Sequence, residues 1–183
     1  MLILLVYLSA VFVALAVFVL AAVSDFKTFT IPNSYSVIMI VSFIMAYGMI
    51  TQFAPTVELF ESFISHLIAF GAVFLVTLVL YALKLLGAGD SKFMASIGLW
   101  IGIQGLMPFL FYMSLMGGVL AGITLYLRKN PKLKNMPEGS WFDVAQNGDQ
   151  RLPYGIAISI GAVIAFVANG YVNPSLWIEI INQ

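Results

Sequence analysis

FMASIGLWIGIQGLMPFLFYMSLMGGVLAGITLYL, Phe93 to Leu127, is the stretch on which the fold turns. These 35 uninterrupted, mostly apolar residues would make a single helix about 52 Å long at 1.5 Å per residue, against a hydrocarbon core of about 30 Å. Such a segment must fold back within the bilayer. Gly102, Gly105 and Pro108 mark the expected hairpin, because glycine lowers helix propensity and proline removes a backbone donor. Working outward, four more apolar runs stand out: Leu2 to Val23, Tyr35 to Ile50, Phe63 to Leu86 and Pro153 to Val172. With the hairpin counted twice, the sequence predicts an all-α membrane protein, a six-transmembrane-helix bundle. It forms one integral-membrane domain over residues 1–183, with a cytoplasmic loop at 128–152 inside it.

Composition agrees: 62% of the 183 residues are hydrophobic, 14% aromatic and 9% charged, and mean hydropathy is +1.03, whereas a soluble domain carries about 25% charged residues. A formal net charge of zero gives no basic field for phosphate neutralisation, so nucleic acid is excluded as a partner. The absence of cysteine excludes disulfides, thiolate catalysis and Cys-ligated metal, and the single histidine, His66, cannot build a histidine centre. No metal or other cofactor is expected.

Charge placement tests the span count. Cytoplasmic loops are enriched in Lys and Arg, and six spans put Lys27, Lys84, Lys92, Arg128, Lys129, Lys132, Lys134 and Arg151 on one side. Both termini are therefore predicted outside, with the first, third and fifth loops cytoplasmic. The N-terminal run lacks the positive n-region of a cleaved signal and is expected to stay as an anchor. Lys129 to Arg151, with Pro131, Pro137, Asn147 and Gly148, reads as a loop rather than a packed domain. Ser175 to Ile181 reads as an interfacial tail around Trp177. His66 is expected near the outer end of the third span in a satisfied polar contact. The Gly98–Gly102 and Gly118–Gly122 pairs read as intramolecular packing sites.

Of eight acidic residues, Glu58, Glu61, Glu138, Asp143, Asp149 and Glu179 fall in loops or the tail, where a carboxylate stays solvated. Asp25 and Asp90 differ. One ends the first span and the other opens the fourth, at the same membrane face, where burying a carboxylate is costly unless something uses or pairs it. Two facing carboxyls share a proton, so one can act as base on a water while the other polarises a carbonyl; this is peptide hydrolysis without a covalent intermediate. The plainer reading is a helix cap or a pairing with Lys27 or Lys92.

Asp25 lies in SDFKTFTIPN, Ser24 to Asn33, with Lys27, Pro32 and Asn33 beside it, and Asp90 lies in LGAGDSKFMASIGLWIG, Leu86 to Gly102. Gly87 to Asp90, GAGD, fits the GxGD pattern of intramembrane aspartyl proteases, whose glycines permit tight turns and close backbone approach. Together with the earlier Asp before IPN, the six spans and LPYGIAISIG at Leu152 to Gly161, the chain resembles the type IV prepilin peptidases over nearly its whole length. It is most similar to the short six-span form of the tight-adherence (Tad, Flp pilus) systems.

That resemblance implies a GxGD-type aspartyl protease fold in the inner membrane, with Asp25 and Asp90 as the catalytic pair and Gly87, Gly89, Lys27, Lys92, Pro32 and Asn33 as supporting motif positions. Lys27 and Lys92 fit equally well as interfacial cations that fix topology. The implied substrates are prepilin and pseudopilin precursors, cut between a short basic leader ending in glycine and a hydrophobic helix, with pilus-assembly machinery as a further partner besides the lipid bilayer. Longer members add a cytosolic domain with tetracysteine zinc ligation, associated with N-methylation. Without cysteine, methyltransferase activity is not expected here. Two rival readings have other uses for the same features: a small ion or proton-coupled transporter with Asp25 and Asp90 as ion sites, and a structural assembly subunit.

Overall fold

The computed structural model describes residues 1–129, 138–149 and 151–181. Among the described residues seven helices follow in order: α1 (Leu2–Thr28), α2 (Asn33–Phe53), α3 (Phe63–Ala82), α4 (Ala88–Lys129), α5 (Trp141–Gln146), α6 (Tyr154–Ala168) and α7 (Pro174–Ile181). The first four are long and apolar enough to cross a membrane, and α6 is a shorter apolar helix of 15 residues. The chain is thus an all-α membrane protein.

The 42 residues of α4 do not run straight. Gly102 has φ 63° and ψ −173°, a region open essentially to glycine alone, and it divides α4 into a first arm, 88–101, and a second, 103–129. Contacts along the arms show the reversal. Asp90 begins beside the α1–α2 turn, Gly102 lies against Glu61 and His66, Gly161 of α6 packs on Phe109 and Met113, and Leu127 clusters with Trp141 and Ala157 near Phe26 and Phe29. Both ends of α4 therefore meet the end of α1 that carries Asp25. The break falls at the first of the three expected hairpin residues; Gly105 and Pro108 are already in the second arm.

A helix broken inside a bilayer exposes carbonyls on one side and N–H groups on the other, each costing several kcal/mol if unpaired. Here the first arm's last carbonyls find side chains: His66 Nδ1 lies 2.8 Å from the Leu99 oxygen, the Tyr171 hydroxyl donates to Trp100 at 2.7 Å, and Asn169 Nδ2 donates to Ile101 at 2.8 Å. The second arm's first N–H groups are met as well. Ile103 donates to Ser65 Oγ at 3.2 Å and Gln104 to Glu61 Oε1 at 3.0 Å, while Ser65 Oγ in turn donates to Glu61. Glu61 is thus a helix cap rather than the freely solvated loop carboxylate the sequence suggested.

From Phe93 to Gly102 the first arm is almost wholly buried, which makes it the central helix, apolar on every face. Phe93 meets Phe18 of α1, Trp100 donates to Met39 of α2 and packs on Phe166 of α6, and Gly98 lets the Ala69 backbone of α3 come close. Three further expectations need correcting. α1 continues past Val23 to Thr28 and takes Asp25 into its last turns. Part of the 128–152 loop is packed: α5 buries Trp141, whose Nε1 donates to Thr124 at 3.0 Å; Lys132, Lys134, Pro131 and Pro137 lie outside the described residues. Gly118 and Gly122 face open space, with nothing within 4 Å of a would-be Cβ, unlike Gly98. The tail forms α7, which rests on α1.

Replacing Gly102 by Ala forces a positive φ and drives a Cβ into the Glu61 carboxylate. We expect this to lower unfolding stability in detergent by at least about 1–3 kcal/mol, and Glu61→Ala by about 0.5–2 kcal/mol through loss of the cap. Gly118→Ala should be neutral or stabilising by about 0.5–1 kcal/mol. Equal losses at Gly102 and Gly118 would contradict this account of the break.

Candidate active site

The last turn of α1 closes on Phe29, whose left-handed backbone (φ 52°) directs its N–H to the Asp25 carbonyl. Asp25 sits just inside that closure, 4% exposed. Its Oδ2 accepts a 2.6 Å hydrogen bond from the backbone N–H of Gly155, in the first turn of α6. Asp90 occupies the first turn of α4 and reaches back so that its Oδ2 accepts from the Gly87 N–H at 3.2 Å, a favourable place for a carboxylate near a helix N-terminus.

Both aspartates line one cavity of about 630 Å³. The cavity is walled by three segments that converge on the same end of the bundle: Phe29 after α1, Lys84 to Gly87 before α4, and Asp149, Arg151, Leu152 and Tyr154 at the start of α6. Phe29 and Lys84 are the non-glycine residues with positive φ among those described, 52° and 61°. That both line the cavity fits the tendency of backbone strain to collect at functional sites. Arg151 pairs with Asp149 at 2.9 Å and stands 4.8 Å from the centre of the Phe29 ring, which ties the connection before α6 to the α1–α2 turn.

The glycines of GAGD have separate tasks. A Cβ on Gly89 would lie 2.6 Å from the Ile31 carbonyl oxygen, so the α1–α2 turn and the start of α4 touch backbone to backbone. A Cβ on Gly87 would meet only the Asp90 carboxylate, at 2.7 Å. Of the other expected positions, Pro32 caps α2 and Asn33 begins it. Lys92 donates to Asn33 Oδ1 at 3.1 Å, and Lys27 is exposed. Neither lysine forms an ion pair with Asp25 or Asp90, so the pairing half of the plainer reading fails, whereas each carboxylate does accept an N–H at a helix start, as its capping half has it. Sequence reasoning missed Phe29, Lys84, Asp149 and Arg151 as members of the cavity and Gly155 as the donor to Asp25. Only Gly155 had a signal, the LPYGIAISIG stretch.

Comparison with known proteins follows the same residues. The sequence pattern of the type IV leader peptidase family matches residues 12–122. The chain belongs to that family. A prepilin leader peptidase/N-methyltransferase of Xanthomonas campestris pv. campestris is 33% identical over 60 residues, covering 33% of this chain and 21% of that protein; the match thus spans about one fifth of the relative's length. No solved structure matches the chain. The part matched by the leader peptidase pattern holds Asp25, the GAGD segment and the Gly102 break, while Gly155 lies beyond it.

In this leader peptidase family member the two motif glycines should respond differently to alanine. Gly89→Ala must separate two backbones and should cost about 1–3 kcal/mol in thermal or denaturant unfolding. Gly87→Ala, which displaces only a side chain, should cost less than Gly89→Ala. Indistinguishable stabilities would argue against the backbone contact.

Proposed function

We propose that this chain is a membrane aspartic endopeptidase that removes the leaders of type IV pilin-like precursors, Flp-type prepilins and pseudopilins, with Asp25 and Asp90 as its catalytic residues. The observation that carries the proposal is the shared cavity: two acids distant in sequence line one hollow, and among the described residues neither forms an ion pair with a cation. Family membership supports the reaction class. Neither the transporter nor the assembly-subunit reading gains support from these findings.

In the proposed reaction a water between the carboxyls attacks the scissile carbonyl carbon as one carboxylate takes its proton and the other, protonated, gives its proton to the carbonyl oxygen. The resulting gem-diol collapses. Its C–N bond breaks, the first carboxyl delivers its proton to the departing amine, and a diol hydroxyl returns a proton to the second. Water has been added across the amide and both acids are reset.

Lys27, Lys84, Lys92, Arg128, Lys129 and Arg151 all belong to the end of the bundle that bears the cavity. By the tendency of cations to remain on the cytoplasmic side, that end faces the cytoplasm of the inner membrane, both termini lie outside, and residues 1–183 act as one peptidase domain. A basic leader would then wait at the cavity while its apolar helix enters the lipid, and glycine before the cut suits a site pressed between helices. Pilus-assembly machinery is the natural recipient of the product.

Co-expression with an Flp-type precursor tests the proposal. Asp25→Asn and Asp90→Asn should each reduce cleavage by at least about 10²-fold, the usual minimum contribution of a positioned acid or base, while still inserting in the membrane. Asp143→Asn, in α5 and outside the cavity lining, should cleave normally. Full cleavage by either site variant would refute the assignment.

A further inference from the structure

The two aspartates are held unequally. Asp25 Oδ2 receives the Gly155 N–H at 2.6 Å, and among the described residues no side chain contributes a hydrogen bond to its other oxygen. Gly155 is the second residue of α6, so the donated N–H is one of the unpaired amides of a helix N-terminus, where the helix dipole favours negative charge. The bond held by Asp90 is longer, 3.2 Å, and comes from Gly87 ahead of α4. Steric fit reinforces the difference. A Cβ at position 155 would stand 2.7 Å from Asp25 Cβ, 3.1 Å from its Cγ and 3.0 Å from Ile31 Cδ1, so this position admits a hydrogen and little else.

Resting on the peptidase reading, we infer that Gly155 is the positioning residue of the site: its N–H fixes one oxygen of Asp25 and favours the charged form of that carboxyl, so that Asp25 takes the proton from water while Asp90 holds the shared proton. Hydrogen bonding to a charged carboxylate favours that form over the protonated one. With one lone pair of Oδ2 engaged, Oδ1 is the freer oxygen to receive the water proton, which favours one direction of attack. Asp90, half-buried at the cavity wall, presents its proton to the carbonyl. The other ionisable groups around Asp25 are Lys84, Asp149, Arg151 and Tyr154 across the cavity and exposed Lys27 on its own helix; none of them donates a hydrogen bond to it.

The cleanest test exchanges one atom. Incorporating glycolic acid at position 155 of the full chain replaces the N–H by an ester oxygen without adding bulk, and cleavage of the precursor is then followed against pH. Losing the donor makes Asp25 harder to ionise, and activity needs it ionised. The acid limb of the kcat/KM profile should therefore move to higher pH by about one unit, a loss of about tenfold on that limb, with KM little changed. Gly155→Ala should reduce kcat further, through displacement of Asp25. An ester variant whose profile overlays that of the wild type would overturn the inference while leaving the peptidase reading intact. Absence of cleavage by the wild type itself would instead remove the reading on which the inference rests.

Discussion

Everything in this fold depends on the side-chain hydrogen bonds that take up the interruption of α4 at Gly102. A helix can stop and reverse inside a membrane only if its freed carbonyls and amides are taken up by protein. Here three donors from α3 and the α6–α7 connection take the carbonyls, and Ser65 and Glu61 take the amides. Because the break is satisfied, the first arm can stay central and buried, and the second can return along α6 to the end where it started. The hairpin thus fastens one end of the bundle, and the geometry at the other end follows from it.

At that other end the constraint becomes one of close approach. α1, the start of α4 and the start of α6 converge through positions where a methyl group would not fit: Gly89 against the Ile31 carbonyl and Gly155 against Asp25. Glycine here brings two backbones and a carboxyl within hydrogen-bonding range. The GAGD segment is best understood in these terms, as a spacing device around an acid. The strained backbones of Phe29 and Lys84 and the Arg151 bridge to Phe29 shape the walls of the same cavity, and Phe26 packs edge-on against Trp141 and Phe142 behind them.

Much of this was legible in the sequence because it is written in length and charge. The span of Phe93 to Leu127 demanded a reversal, the placement of Lys and Arg ordered the loops, and position alone separated Asp25 and Asp90 from the other acids. What was illegible are partnerships made across the fold. Glu61 reads as one more loop carboxylate until the break it caps is seen 43 residues away. Gly155 reads as a helix residue until Asp25 arrives from 130 residues upstream. Trp141 lies in a stretch whose Pro and Gly content argued for a loop, and its burial depends on Thr124 and Phe26 from other helices. Gly118 and Gly122 carry the same spacing as Gly98 and Gly102, yet only the latter pair meets protein, since spacing does not say what lies opposite.

Convergence of two remote acids is the claim on which the functional account stands, and because the chain contains no cysteine it can be measured with introduced thiols. In native membranes, an Asp25→Cys/Asp90→Cys double variant treated with a short bifunctional thiol reagent should crosslink within one chain, whereas Asp25→Cys/Glu61→Cys, placed at opposite ends of the bundle, should not. Efficient crosslinking of the first pair alone is the predicted result. Crosslinking of the second pair but not the first would contradict it.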